Sequence, residues 1–222
     1  MAGQDSSPQA AQALETLCRI YWPPLYAYAR RDNLSPHDAQ DAVQDFIALL
    51  IERKDFANLG PEKGRFRSFL LAALKNFLIS RARAGHALKR GGGRPALSLD
   101  DVDPEVHCAP ELTDQFTPEK AFDRRWARTV MGRALENLRI EHQSPQQARV
   151  FAALQPTLME GRPMNERAAL AADLGITPGA LGVAATRMRQ RYRTLVEEEV
   201  KQTLTDAADF AEEMRALRQA WV

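Results

Sequence analysis

A stretch rich in cations and phenylalanines occupies positions 63–94, and no acidic residue lies inside it. A surface of one sign attracts phosphates, because each phosphate that a cation neutralises releases condensed counterions. Aromatic rings beside cations also suit unpaired bases, which stack on them. The pattern therefore indicates nucleic-acid binding. The alternative is a solvated cationic face above phenylalanines that belong to a core. The residues concerned are Lys63, Arg65, Phe66, Arg67, Phe69, Lys75, Phe77, Arg81, Arg83, Lys89, Arg90 and Arg94.

A second group of candidate contacts lies in residues 165–193, which have the pattern of a helix-turn-helix. Gly175 suits a tight turn, and Thr177 with Pro178 suits the start of the second helix. The exposed N-terminal part of such a helix meets base edges in the major groove. A plain helical hairpin would have the same spacing, but the arginines that follow favour DNA binding. Those arginines are Arg187, Arg189, Arg191 and Arg193.

Catalytic and metal-binding patterns are not found in the sequence. His37, His86, His107 and His142 have no ligand spacing with acids or cysteines, and His107 beside Cys108 suits neither chelation nor nucleophilic catalysis. The glycines at 91–93 lack the residues of a phosphate-binding loop. We expect no enzymatic activity, no metal and no cofactor.

Composition narrows the class of protein. The chain has 222 residues, with 45% hydrophobic and 27% charged side chains and a net charge of +1, which is typical of a globular protein. No apolar run reaches the roughly 20 residues of a membrane helix, and the N-terminus does not resemble a signal peptide. Cys18 and Cys108 lie far apart, so we expect a reducing, cytoplasmic setting.

The elements that would position these groups are helices, so we predict an all-α fold. Helical patterns cover 11–22 and 24–31, with a break at Pro23 and Pro24, then 36–53 and 66–88. Others cover 117–141, 145–160, the two helices of 165–200, and 205–221. Residues 96–116 are acidic, contain two prolines and show no helical periodicity. We therefore predict two helical domains, 1–95 and 118–200, joined by an acidic linker at 96–117 and followed by an extension at 201–222.

Two of these helices have a clear inner face. Ser35 is a good cap for the helix at 36–53, and its apolar residues recur at three-four spacing: Ala39, Ala42, Val43, Phe46, Ile47 and Leu50. The C-terminal segment has an apolar stripe with Glu212 and Glu213 opposite it. It could pack on the preceding domain, cover the basic surface or bind a partner. The stripe comprises Leu204, Ala208, Ala211, Met214, Leu217 and Trp221.

Taken in order, these segments resemble the extracytoplasmic-function group of bacterial RNA polymerase sigma factors over about residues 14–200. The segments that carry the resemblance are YWPPLYAYARR at 21–31, DAQDAVQDF at 38–46, GRFRSFLLAALKNFL at 64–78, KRGGG at 89–93, LSLD at 97–100 and the helix-turn-helix. Each segment alone is a weak signal, and their succession is a strong one. The resemblance implies an alternative sigma factor that binds core RNA polymerase and directs promoter recognition and transcription initiation.

The resemblance also implies residue roles. Read without it, the polar face of 37–53 is an ordinary solvated face. With it, the face docks on core polymerase through Asp38, Gln40, Asp41, Gln44, Asp45 and Phe46. The basic helix binds the minus-ten element through Arg65, Phe66, Arg67, Phe69, Lys75, Asn76, Arg81, Arg83, Lys89 and Arg90. The second helix of the helix-turn-helix binds the minus-thirty-five element through Thr177, Gly179, Ala180, Val183, Thr186, Arg187, Arg189, Gln190 and Arg191.

Three positions depart from the family pattern. Gly182 and Thr186 stand where Lys and His are frequent, and Ser80 stands where an acid is frequent, so DNA contacts at these positions are weakened. The partners implied are core RNA polymerase and promoter DNA, with either an anti-sigma factor or self-docking of the C-terminal segment, and no membrane. The alternative function is a free-standing helix-turn-helix regulator that binds duplex DNA without polymerase.

Overall fold

A computed structural model describes residues 8–52, 66–85, 104–112, 115–159, 167–204 and 206–221. The regular elements of these residues are all helical, with no strand among them, so the all-α prediction is confirmed. The α-helices are α1 (Pro8–Arg31), α2 (Pro36–Glu52), α3 (Phe66–Gly85), α4 (Pro104–Cys108), α5 (Pro118–Ile140), α6 (Pro145–Met159), α7 (Arg167–Asp173), α8 (Pro178–Lys201) and α9 (Phe210–Trp221). Two short 3-10 turns cover Ala109–Glu111 and Ala207–Asp209.

The chain divides into two compact units. The first comprises Met1–Thr129 together with Lys201–Val222, and the second comprises Val130–Val200. These boundaries differ from the predicted ones. The predicted linker at 96–117, the start of α5 and the C-terminal extension all fall within the first unit.

Helix α1 is continuous through Pro23 and Pro24, so the predicted break there is wrong. The two prolines lack the N–H groups that would bond the carbonyls of Arg19 and Ile20, a loss that usually breaks a helix. Residues on either side of the prolines are nevertheless buried, with Tyr21, Leu25 and Tyr26 at most 2% exposed. Packing of this face therefore outweighs the local preference of the prolines.

Helix α2 matches its prediction in both its cap and its inner face. The Ser35 hydroxyl accepts a hydrogen bond from the Asp38 N–H at 3.2 Å and donates one to the Asp38 carboxylate at 2.6 Å. The buried residues of α2 are the six expected, Ala39, Ala42, Val43, Phe46, Ile47 and Leu50.

The predicted linker contains a short helix, α4, although its sequence shows no helical periodicity. Glu105 accepts hydrogen bonds from the Tyr26 hydroxyl at 2.5 Å and from the Arg30 guanidinium. Glu111 is fully buried, and its Oε1 lies 2.8 Å from Nε of Arg128 on α5. Burial raises the pKa of Glu111, against the lowering influence of Arg128 and Arg125. Acidic side chains thus fix this segment to α1 and α5.

Helix α9 buries only part of the face that its sequence pattern predicts, and its inner face also includes an acid. Glu213 and Leu217 are its buried residues, at 2% and 4% exposure, whereas Ala208 in the preceding turn and Ala211 are exposed. The prediction that Glu213 lies opposite the packed face is therefore wrong. A carboxylate on a packed face needs a partner, and Glu213 has one in Arg67 of the first unit.

The second unit packs α6, α7 and α8 with the second half of α5 around Leu138, Leu154, Leu181 and Tyr192. A buried carboxylate, Glu199, accepts hydrogen bonds at 2.7 Å from Nε of Arg133 and at 2.7 Å from Nδ2 of Asn137. These bonds satisfy a charge that would otherwise be costly to bury.

Candidate nucleic-acid interface

The turn between α7 and α8 is set by backbone geometry. Gly175 has φ +68°, a left-handed conformation that side chains with a Cβ seldom adopt. The N–H of Ile176 then bonds the Ala171 carbonyl at 3.0 Å, and the Thr177 hydroxyl accepts a bond from the Ala180 N–H at 3.1 Å. These bonds end one helix and start the next at the expected positions.

The start of α8 presents its side chains to solvent. Val183, for example, is 52% exposed. An open cavity runs along the same face and is lined by Gly179, Gly182, Val183, Ala185, Thr186, Arg187 and Arg189. On the inner face of α8, Leu181, Ala185 and Met188 are buried. The predicted contacts Thr177, Gly179, Ala180, Val183, Thr186, Arg187, Arg189 and Gln190 are all exposed or line this cavity.

Arg191 differs from these residues because it already has acidic partners. Its Nη2 lies 2.5 Å from Oε1 of Glu141, and its Nη1 lies 3.3 Å from Oε1 of Glu198. The hydrogen bond to Glu141 raises the pKa of Arg191 and lowers that of Glu141. The arginine therefore stays charged, but part of its charge is matched within the protein.

The cations of α3 also have acidic partners, and these come from other elements. Nζ of Lys75 lies 2.6 Å from Oε1 of Glu119 on α5, and Nη1 of Arg81 lies 2.5 Å from Oδ2 of Asp45 on α2. Arg83 is exposed at the end of the helix. The basic segment contains no acidic residue of its own, but acids from distant positions in the sequence lie beside it in the fold and partly neutralise its charge.

Arg67 is the most enclosed of these cations, at 8% exposure. Its Nε donates to Oε2 of Glu213 on α9 at 3.1 Å, and its Nη1 contacts the Asp123 carboxylate on α5. The guanidinium carbon also lies 4.6 Å from the centre of the Trp126 ring. Burial opposes the charge, but the two carboxylates outweigh it and raise the pKa of Arg67.

The aromatic residues of α3 divide between core and surface. Phe66 is 4% exposed and meets the Tyr21 ring edge-on at 5.1 Å, so it is a core residue and not a stacking platform. Phe69 and Phe77 are half-buried, and Phe77 lies 5.6 Å from the Phe46 ring. Asn76 is exposed. Three predicted contacts, Arg65, Lys89 and Arg90, lie outside the described residues.

The polar face of α2 reaches the surface as expected, with one exception. Asp38 is exposed, and Gln40, Asp41, Gln44 and Asp45 are partly exposed. Phe46 is 1% exposed and packs in the core, so we leave it out of the surface that α2 offers to a partner. Its position on the inner face follows from the same three-four spacing that buries Val43 and Leu50.

The described residues contain no cluster of three or more His, Cys, Asp or Glu side chains that could hold a metal ion. Within the same part of the chain, no helix combines the length and the apolar character needed to cross a membrane.

Comparison with known protein families identifies the chain's relatives. A family model described as ECF sigma factor matches residues 10–202. The chain belongs to the ECF sigma factor family. ECF sigma factors act in promoter recognition and transcription initiation, and this membership extends over both compact units. Searches of curated proteins and of solved structures gave no match.

Sequence reasoning missed the acids that face the basic helix of this ECF sigma factor. Glu119 and Asp123 stand four residues apart in the first turns of α5, a spacing that places them on one face. The sequence shows this spacing, but it does not show that the two acids face α3. Glu213 was noticed in the sequence and assigned to the wrong side of α9.

Proposed function

We propose that this chain is an alternative sigma factor that binds core RNA polymerase and brings it to promoters, without chemistry of its own. The family match over residues 10–202 carries the proposal, because it extends across the polar helix α2, the basic helix α3 and the α7–α8 turn together. A free-standing regulator would need only the last of these. Such a sigma factor would act in the cytoplasm.

The polymerase-binding surface that we propose is the polar face of α2. Carboxylates and amides there can pair with cations on a partner helix, while the apolar side of α2 stays in the core. Its residues are Asp38, Gln40, Asp41, Gln44 and Asp45. Asp38 also holds the Ser35 cap and Asp45 also pairs with Arg81, so these two contribute to the fold as well. Asp41 lies 3.7 Å from the exposed His37 one turn earlier, a longer contact than those of Asp38 and Asp45, so we choose it for the test.

The DNA-binding surfaces that we propose lie on α3 and α8. On α3, Phe69, Asn76 and Arg83 are half-buried or exposed and suit an unpaired strand. Arg67, Lys75 and Arg81 can join them when their acidic partners are displaced. On α8, side chains around the open cavity suit the major groove of a duplex. Arg187 and Arg189 there can reach phosphates, which orient a protein on DNA without reading its sequence.

The experiment is co-migration with bacterial core RNA polymerase on a sizing column. We expect the wild-type chain to bind stoichiometrically and Asp41→Arg to lose binding, because the substitution reverses the charge of the docking face. The matched control is Glu52→Arg, an exposed charge reversal at the end of the same helix, which should bind like the wild type. Failure of the wild type to bind polymerase, together with tight duplex binding on its own, would replace this proposal with the free-standing regulator.

A further inference from the structure

The C-terminal helix α9 covers a cation on the basic helix α3. Glu213 of α9 and Arg67 of α3 are joined by a hydrogen bond of 3.1 Å, and their side chains are only 3% and 9% exposed. Asp123 contacts the same guanidinium from α5 and remains 39% exposed. The Asp123 carboxylate of this cluster is therefore partly open to solvent, whereas the Glu213 carboxylate is enclosed.

A glutamate at this position is not needed for packing alone. A buried ion pair adds little stability over apolar side chains of similar volume, because both charges lose their hydration. What a carboxylate does offer is a charged acceptor of the kind that a phosphate offers to a guanidinium. Glu213 therefore occupies Arg67 with the same chemistry that promoter DNA would use.

Helix α9 is held in place by few buried side chains. It has twelve residues, a length at which an isolated helix is marginal in water, and Leu217 is its one buried apolar side chain. Elements with few buried apolar contacts open at low free energy. Beside the contact, an open cavity between α5 and α9 is lined by Lys120, Arg124 and Gln219 as well as Arg67. A phosphate that reached Arg67 would therefore meet two further cations, beside the Asp123 carboxylate that also lines the cavity.

We propose that α9 is a reversible acidic clasp that competes with the DNA backbone for Arg67. The inference rests on the proposed promoter-binding role of α3 and adds its regulation. In the closed state Glu213 holds Arg67, and in the open state α9 is displaced and Arg67 joins the cations of the basic helix. The apparent affinity for a single strand is then the affinity of the open state multiplied by the fraction of open molecules.

The test compares the affinity of full-length variants for a fluorescent oligothymidine single strand over a range of salt concentrations. Glu213→Gln keeps the shape of the side chain and removes its charge, so we expect affinity to rise about tenfold. The salt slope should steepen by about 0.7 for one more phosphate contact. Leu217→Ala, which weakens the apolar anchor of α9, should raise affinity in the same direction. Glu212→Gln, at an exposed position on the same helix, should behave like the wild type.

A double variant decides whether Arg67 carries the gain. Arg67→Gln in the Glu213→Gln background should return affinity and slope to wild-type values, and a gain that persists there would overturn the clasp. Unchanged affinity in Glu213→Gln and Leu217→Ala, with wild-type helicity by circular dichroism, would also overturn it and leave α9 as a packing element. Polymerase binding is measured separately through Asp41→Arg. A chain that binds polymerase but shows no gain loses only the clasp, and one that shows the gain without binding polymerase loses only the sigma-factor function.

Discussion

Arg191 on α8 is bound to Glu141, just past the end of α5, through two of its guanidinium nitrogens. Nη2 lies 2.5 Å from Oε1, and Nε lies 3.0 Å and 2.9 Å from the two carboxylate oxygens. This is the fork geometry in which an arginine best matches a carboxylate. Arg187, one turn earlier on the same helix, is exposed and lines the open cavity. Two arginines that look equivalent in the sequence therefore differ in the charge they offer to DNA.

The first prediction follows from this difference and concerns the salt dependence of duplex binding. Arg187→Gln should reduce the slope of log affinity against log salt by about 0.9, the value for one lost phosphate contact. Arg191→Gln should change the slope much less, because Glu141 already neutralises part of that charge. The measurement is fluorescence anisotropy of a mixed-sequence duplex titrated at several salt concentrations.

A third variant separates pairing from position. Glu141→Gln removes the closer of the two acidic partners and leaves Glu198 at 3.3 Å, so Arg191→Gln in that background should lower the slope more than it does in the wild-type chain. Equal effects of the two arginines in the wild-type chain would show that Glu141 does not restrain Arg191.

The second prediction concerns Phe46, which the family resemblance placed on the polymerase-binding face. Phe46 is 1% exposed and packs against Phe77, so Phe46→Ala should lower the free energy of unfolding by about 3–5 kcal/mol through cavity formation. Gln44→Ala, a partly exposed position on the same helix, should change it by less than about 0.5 kcal/mol. Urea unfolding followed by circular dichroism measures both. Loss of polymerase binding by Phe46→Ala with stability unchanged would return Phe46 to the docking face.

Local patterns predicted the parts of the fold that depend on local interactions. The Ser35 cap and the six buried residues of α2 follow from capping and three-four spacing, both of which act within one helix. The left-handed turn at Gly175 follows from the one residue type that tolerates it freely. In each case the deciding interaction spans only a few residues.

The sequence failed where a distant segment decides the outcome. Pro23 and Pro24 stay inside α1 because the packing of buried neighbours such as Leu25 and Tyr26 holds the helix together. Helix propensity does not include this packing energy. Glu213 faces inward because it binds Arg67, which lies beside it in space although 146 positions away in the chain. A single sequence contains both residues but not their proximity. The charge of the basic surface was therefore overestimated, since its acidic partners come from α2, α5 and α9.

The third prediction concerns the turn that starts α8. Gly175 has φ +68°, so Gly175→Ala should destabilise the chain by about 1–2 kcal/mol even though no atom beyond its chain neighbours lies within 4 Å of the new Cβ. Gly132 is the matched control, because it lies inside α5 with the same open space around a built Cβ. Gly132→Ala should stabilise by about 1 kcal/mol through helix propensity. Thermal unfolding of the two variants should therefore shift in opposite directions, and a shift of the same sign would contradict the role given to the turn.

The fourth prediction concerns acid stability and rests on Glu105. Its hydrogen bonds from Arg30 and Tyr26 lower its pKa below the ordinary value of 4.5, despite the opposing influence of burial. A carboxyl whose pKa is lower in the folded chain binds protons more tightly when unfolded, so its stabilisation is present above the ordinary pKa. It is lost as the pH falls through the folded value. We therefore expect the docking of α4 on α1 to weaken in acid below about pH 4.5, where unfolding takes up a proton.

Glu105→Gln tests this because it keeps the shape of the side chain and removes the titration. At pH 7 the variant should be less stable by about 1 kcal/mol, a modest loss because the pair is partly solvated. The difference from the wild type should shrink as the pH falls and vanish once Glu105 is protonated in the folded chain. Urea unfolding at a series of pH values measures it. A difference that stays constant with pH would mean that the amide loses packing or hydrogen bonds and that the charge of Glu105 contributes nothing. In that case the contact of α4 with α1 would depend on shape, and the acidity of this segment would need another explanation.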